Sequence, residues 1–119
     1  MMQGSKFYRG WNELKLSGKL PERRSYATGC IHDNCMYVFG GSDINDGANC
    51  TIWKLDIDEL VQSGFTSSGK CSVEWQLIET KGEKLSAISH HCSFVRDRKF
   101  YVWGGIVSES TPDFKVFDF

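Results

Sequence analysis

The chain has 119 residues, and its 14 Lys and Arg stand against 15 Asp and Glu, a net charge of −1. Apolar content of 40% and aromatic content of 13% describe a globular protein and exclude a disordered one. The near-neutral balance offers no basic patch for nucleic acid and no acidic tail. No apolar run approaches the length needed to span a membrane, and MMQGSKFYRGW has no apolar signal region, so cytoplasm, or else nucleus, is the expected compartment.

Residues 1–10 read as an N-terminal extension. Residues 11–16 then have the look of an isolated strand, followed by the loop SGKLPERRSYA at 17–27. TGCIH (28–32) and MYVFG (36–40) are short runs rich in β-branched and aromatic residues, and the Asp-Asn between them predicts a tight hairpin. After the loop SDINDGANC (42–50) come TIWKLDI (51–57) and VEWQLIE (73–79), two more predicted strands. Between them lies a long connection, 58–72, whose DELVQSG portion at 58–64 fits a single helical turn. Next is the loop TKGEKLSAISHH (80–91). Three further strands are predicted across 92–119, the first two joined by RDRK (96–99) and the last two by IVSESTPD (106–113).

The chain repeats itself. At an offset of 64, Trp11 falls on Trp75, Gly18 on Gly82, Ser25 on Ser89, Asp33 on Asp97 and Tyr37–Val38 on Tyr101–Val102. Gly40–Gly41 falls on Gly104–Gly105, and past it, at an offset of 62, IWKLDI (52–57) lies on FKVFDF (114–119). Short strands repeating at a period above 40 residues are the pattern of propeller blades.

The aromatic-apolar strand ending in Gly-Gly, the Leu-Asp or Phe-Asp closing the third strand and the Trp of the fourth together resemble the Kelch repeat, over about residues 11–119. The resemblance implies an all-β fold of Kelch-type β-propeller blades: one complete four-stranded blade at 28–79, strand four of another at 11–16, and a partial blade at 92–119. The pattern departs from the family where Arg and then His usually precede strand one. The first copy has Arg24 but Ala27, and the second has His91 but Ile88. The connection at 58–72 is also longer than usual. The glycines are expected to turn the backbone sharply without a Cβ, with a strand-four aromatic such as Trp75 packing over the gap. A propeller closes with about four to eight blades, so further blades, or self-association, are expected to complete this one.

Chemistry-bearing clusters are few. Cys30, His32 and Cys35, and His90, His91 and Cys92, lack the spacing of a zinc site, and no GxSxG, HExxH or CxxC motif is present. No cofactor, metal or catalytic residue is predicted. Asp56 and Asp118 read as structural residues closing equivalent strands. The five cysteines read as free thiols, Cys30 and Cys92 as small hydrophobes inside strands. The expected function is that of a non-catalytic scaffold that binds protein partners through the loop face. Arg23, Arg24, Tyr26, Asp43, Asn45, Asp46, Asn49 and His90 are the candidate contacts. By the resemblance, Arg24 occupies a position that in several Kelch adaptors pairs with acidic peptides. A solvated Arg capping strand one is the plainer reading of it, as turn chemistry is for Asp43, Asn45 and Asp46. The alternatives are a Kelch-type enzyme with its metal site in other blades, or an architectural subunit of a larger assembly.

Overall fold

The computed structural model describes residues 11, 13–45, 47–63, 69–81, 87–107 and 115–119. In chain order the elements are β1 (Lys15–Ser17), β2 (Thr28–His32), β3 (Cys35–Phe39), β4 (Ser42–Asp43), β5 (Gly47–Ala48), β6 (Ile52–Asp56) and α1 (Ile57–Ser63). They continue with β7 (Lys70–Glu74), β8 (Gln76–Ile78), β9 (Ile88–Ser89), β10 (Cys92–Arg96), β11 (Lys99–Trp103), β12 (Ile106–Val107) and β13 (Lys115–Asp118). The extension expected at 1–10 lies outside the described residues.

The first blade is a four-stranded antiparallel sheet in the order β2-β3-β6-β8. Its hairpin turns at Asp33 and Asn34, both left-handed (φ 46° and 60°), as the Asp-Asn pair predicts. The second blade holds β10-β11-β13, with Asp97 and Arg98 in the same left-handed turn. Strand alternation supplies the core. Cys35, Tyr37 and Phe39 on β3 and Ile52 on β6 bury against Phe100 and Val102 on β11, with Ile88 from the connection between the blades. Phe39 meets Phe100 edge-on at 6.1 Å, the geometry aromatic rings prefer.

Three expectations are corrected. The predicted strand at 73–79 is two pieces broken at Trp75, because β7 turns to a different partner before β8 joins β6. The strand expected at 11–16 starts at Lys15 and pairs in parallel with β7; Trp11 is fully exposed. Cys92 is exposed as well, because alternation along β10 turns it and Phe94 away from the core. The buried thiols are instead Cys35 and Cys71, and all five cysteines are free. Burial raises the pKa of Cys30 to about 11, so it stays a protonated, inert thiol at neutral pH.

The helical turn forms at Ile57–Ser63. Asp56 caps it, its Oδ1 accepting the Glu59 amide at 2.9 Å, and Asp58 and Glu59 lie in the positive first turn. Asp56 therefore has the structural role its position suggests.

Candidate functional site

The loop face is assembled by backbone bonds between the two blades. Gly41 donates its amide to the Ile88 carbonyl at 2.8 Å, Ile88 donates to Asn49 O at 3.1 Å, and Asn49 donates to Gly41 O at 3.0 Å. Ser25 and Ser42 exchange amide bonds at 2.7 and 2.8 Å, tying the incoming loop of the first blade to the strand after its glycines. The glycine pair is where the second blade is joined to the first.

This changes what fills the space at the glycines. Both are left-handed, with φ of 69° at Gly40 and 96° at Gly41. A Cβ on Gly40 would lie 2.6 Å from His91 Cε1 and 2.8 Å from Ile88 O, both from the second blade's side. A Cβ on Gly41 would lie 2.9 Å from Ser25 O and 3.1 Å from Arg24 Cβ. The expected Trp75 takes no part. It lies in a groove with Leu14, Leu16, Leu20 and Pro21.

Arg24 is the best-satisfied polar side chain of this face. Its Nη1 donates to Gly40 O at 2.9 Å and to Asn49 Oδ1 at 3.1 Å. Its Nη2 donates to Glu22 Oε2 at 3.0 Å and Thr51 Oγ1 at 3.2 Å, and its Nε to Glu22 O at 3.1 Å. The side chain is 7% exposed. Burial lowers its pKa, and Glu22 opposes that shift. The reading of Arg24 as a solvated cap is corrected: a planar guanidinium can reach several acceptors at fixed angles, and here it binds the glycine turn to the loop after it. Asn49 is the other half of the clamp, its Oδ1 also accepting from Thr51 N and Thr51 Oγ1.

Tyr26 and His90 form the exposed feature of the face. Their rings stack at 3.7 Å and 22°, and His90 donates its amide to Tyr26 O at 3.1 Å. Both are left-handed, with φ of 60° and 61°, a conformation bulky residues seldom adopt. Ser89 Oγ hydrogen-bonds His90 Nδ1 at 3.0 Å. Tyr26 is 63% exposed. The two residues stand at the same place in the two repeats, one repeat of 64 apart. The predicted contacts thus fall into groups. Arg24 with Asn49 and Tyr26 with His90 are each brought together, and Arg23 is exposed nearby in sequence. Asp43 accepts the Asn45 amide at 3.1 Å in a local turn between β4 and β5. Asp46 lies outside the described residues.

Sequence reasoning missed Thr51, Glu22 and His91 as parts of this site. His91 is buried, packed edge-on to Phe39 at 5.2 Å. Neither ring nitrogen has a well-formed hydrogen bond, although the Phe39 backbone is near enough to favour the charged form a little. Burial lowers its pKa. Among the described residues, no three of His, Cys, Asp and Glu converge as a cation site.

A four-stranded antiparallel blade, joined through a double-glycine turn to a second blade of the same strand order, defines a segment of a Kelch-type β-propeller. The comparisons agree. The description of the KLHDC2/KLHL20/DRC7 Kelch-repeats domain matches residues 8–119, and the chain belongs to the Kelch-repeat family. It is similar to Kelch domain-containing protein 3 of Bos taurus and of Homo sapiens, 29% identical to each over 102 residues, 86% of this chain. It is also similar to Host cell factor 2 of Homo sapiens, 25% identical over 101 residues, 80% of this chain and 13% of that protein. The matched region spans 24% of the length of the Kelch domain-containing protein 3 sequences.

Proposed function

We propose that this chain forms part of a non-catalytic protein-interaction module, with the stacked Tyr26–His90 pair at the centre of its contact surface. The observation that carries this reading is the pair itself: two exposed rings, held in a strained backbone, on a loop face clamped from beneath by Arg24. Strain kept at an exposed position, on a scaffold that fixes it, is characteristic of recognition sites. Aromatic side chains dominate interface energetics because they bring large area at small entropic cost.

An acidic peptide is the occupant this reading favours, with Arg23 as an exposed guanidinium and Arg24 acting indirectly, by holding the loops. The proposed setting is cytoplasmic or nuclear, with neither nucleic acid nor membrane as partner. The test is photocrosslinking in the full-length protein, with a photoreactive residue at position 26 or, as a control, at Arg96 in the distant hairpin. A partner crosslinked from position 26 alone, whose capture falls at least about tenfold in His90→Ala with folding intact, supports the surface. Equal crosslinking from both positions, or undiminished capture, overturns it.

A further inference from the structure

The connection between β6 and β8 is the largest departure of this chain from its repeat pattern. Two of its parts, α1 and the Gly69–Glu74 segment, fold back against the first blade. Trp53 and Leu55 of β6, on the side of the sheet away from the second blade, are 1% and 5% exposed. β6 contacts both α1 and β7, and Cys71 and Val73 of β7 are themselves buried. These elements therefore form a second apolar layer behind the blade.

The outer member of that layer is β1. It runs parallel to β7, while every other strand pair is antiparallel. Parallel partners need a long crossover, and the crossover here, from Ser17 to Lys70, contains β2, β3 and β6. The join is made at three points. Lys15 donates its amide to Gly69 O at 2.7 Å. Ser17 Oγ donates to Cys71 O at 2.6 Å. Gly69 and Gly18, with φ of 84° and 74°, bring the backbones together. A Cβ on Gly69 would run into the Glu13 carbonyl oxygen, and one on Gly18 into the Glu74 carboxylate.

We infer that the Gly69–Glu74 segment, backed by α1, acts as a strap that grips β1 and holds it to the flank of the first blade. At the repeat offset of 64, residues 12–14 fall on β8 and β1 falls on residues 79–81, just past it, so β1 follows the fourth-strand position of the preceding repeat. The strap thus ties the chain entering the first blade to the flank of that blade. Its ligand is a segment of this same chain, and its specificity lies in the two glycines and the Ser17 hydroxyl.

The experiment is amide hydrogen exchange on the full chain, comparing Lys15 with Val38 in the centre of the first blade. Gly69→Val is expected to raise exchange at Lys15 at least about tenfold and leave Val38 unchanged. Ser17→Ala adds no bulk and removes one hydrogen bond, so a rise of about fivefold at Lys15 is expected, the equivalent of about 1 kcal/mol. It also stands in should Gly69→Val not fold. Unchanged protection of Lys15 in Ser17→Ala overturns the strap. So does an equal loss at Lys15 and Val38, which would mean that β1 is released only when the whole blade opens.

Discussion

Gly40 and Gly104 stand at the same place in the two repeats, and their surroundings differ. Both are left-handed, with φ of 69° and 77°. A Cβ on Gly40 would collide with His91 and the Ile88 carbonyl, whereas one on Gly104 meets no described residue within 4 Å. Gly104→Ala should therefore cost only the left-handed penalty, about 1 kcal/mol, and Gly40→Ala that penalty plus a steric clash with backbone, at least about 2 kcal/mol more. Denaturant midpoints decide it: equal losses would mean that conformation, not contact, governs both glycines. His91 yields a pH prediction from the same junction. The groups facing it are Phe39, Gly40, Ile88, Gly105 and His90, none of them acidic. Its folded pKa lies below 6.5, so below that pH the unfolded chain binds a proton the native one resists. Stability should be level, as far as His91 goes, above about pH 6.5 and should fall as pH drops from there toward the folded value. His91→Gln should flatten that decline in a urea titration repeated across pH. A decline of undiminished slope would place the sensitive group elsewhere.

At the scale of elements, the first-blade loops that carry the backbone bonds to the second blade are held together by a single side-chain fork. Arg24 joins the glycine turn after β3 to Asn49 and Thr51 before β6. Arg24→Ala leaves the Gly40 carbonyl and Asn49 Oδ1 without this donor and should cost about 2 kcal/mol. Arg24→Lys keeps the charge but not the planar fork, and should recover less than half of that loss. Thermal unfolding of both variants measures this; full recovery by lysine would show that charge alone suffices. This element also shows what could be read beforehand. The strands, their hairpin turns and the double-glycine joint were legible because each rests on local rules: alternation, left-handed turn residues and a Cβ-free corner. The Tyr26–His90 stack was legible in principle, since the repeat offset places both residues at one point of successive blades. The Arg24 clamp was not, because the acceptors at Gly40, Asn49 and Thr51 converge only after two loops have folded. Nor was the parallel pairing of β1 with β7, which joins segments separated by most of a blade and leaves no periodic trace.

At the scale of the whole molecule, the two blades are covered unequally. The first has the second blade on one side and the α1–β7 layer on the other. Among the described residues no element packs on the far side of the second, where Phe94 and Val116 are 50% and 52% exposed. Phe94 stacks on Tyr101 at 4.9 Å and 12°, which presents a flat aromatic surface. Among the described residues β13 pairs only with β11, leaving one edge open. The radius of gyration, 16.1 Å, exceeds the roughly 13.5 Å of a compact domain of this length, as two blades side by side would. An apolar face bordered by an open strand edge favours association. The 119-residue chain should therefore sediment as a dimer or larger species at micromolar concentration. Phe94→Glu combined with Val116→Lys should shift it toward monomer, because a desolvated charge on that face opposes any apolar contact. Monomeric behaviour of the unsubstituted chain would show that the open edge and face are too short to drive association. Dimers that survive the double substitution would place the contact elsewhere, the groove lined by Leu14, Leu16, Leu20, Pro21 and Trp75 being one apolar candidate among the described residues.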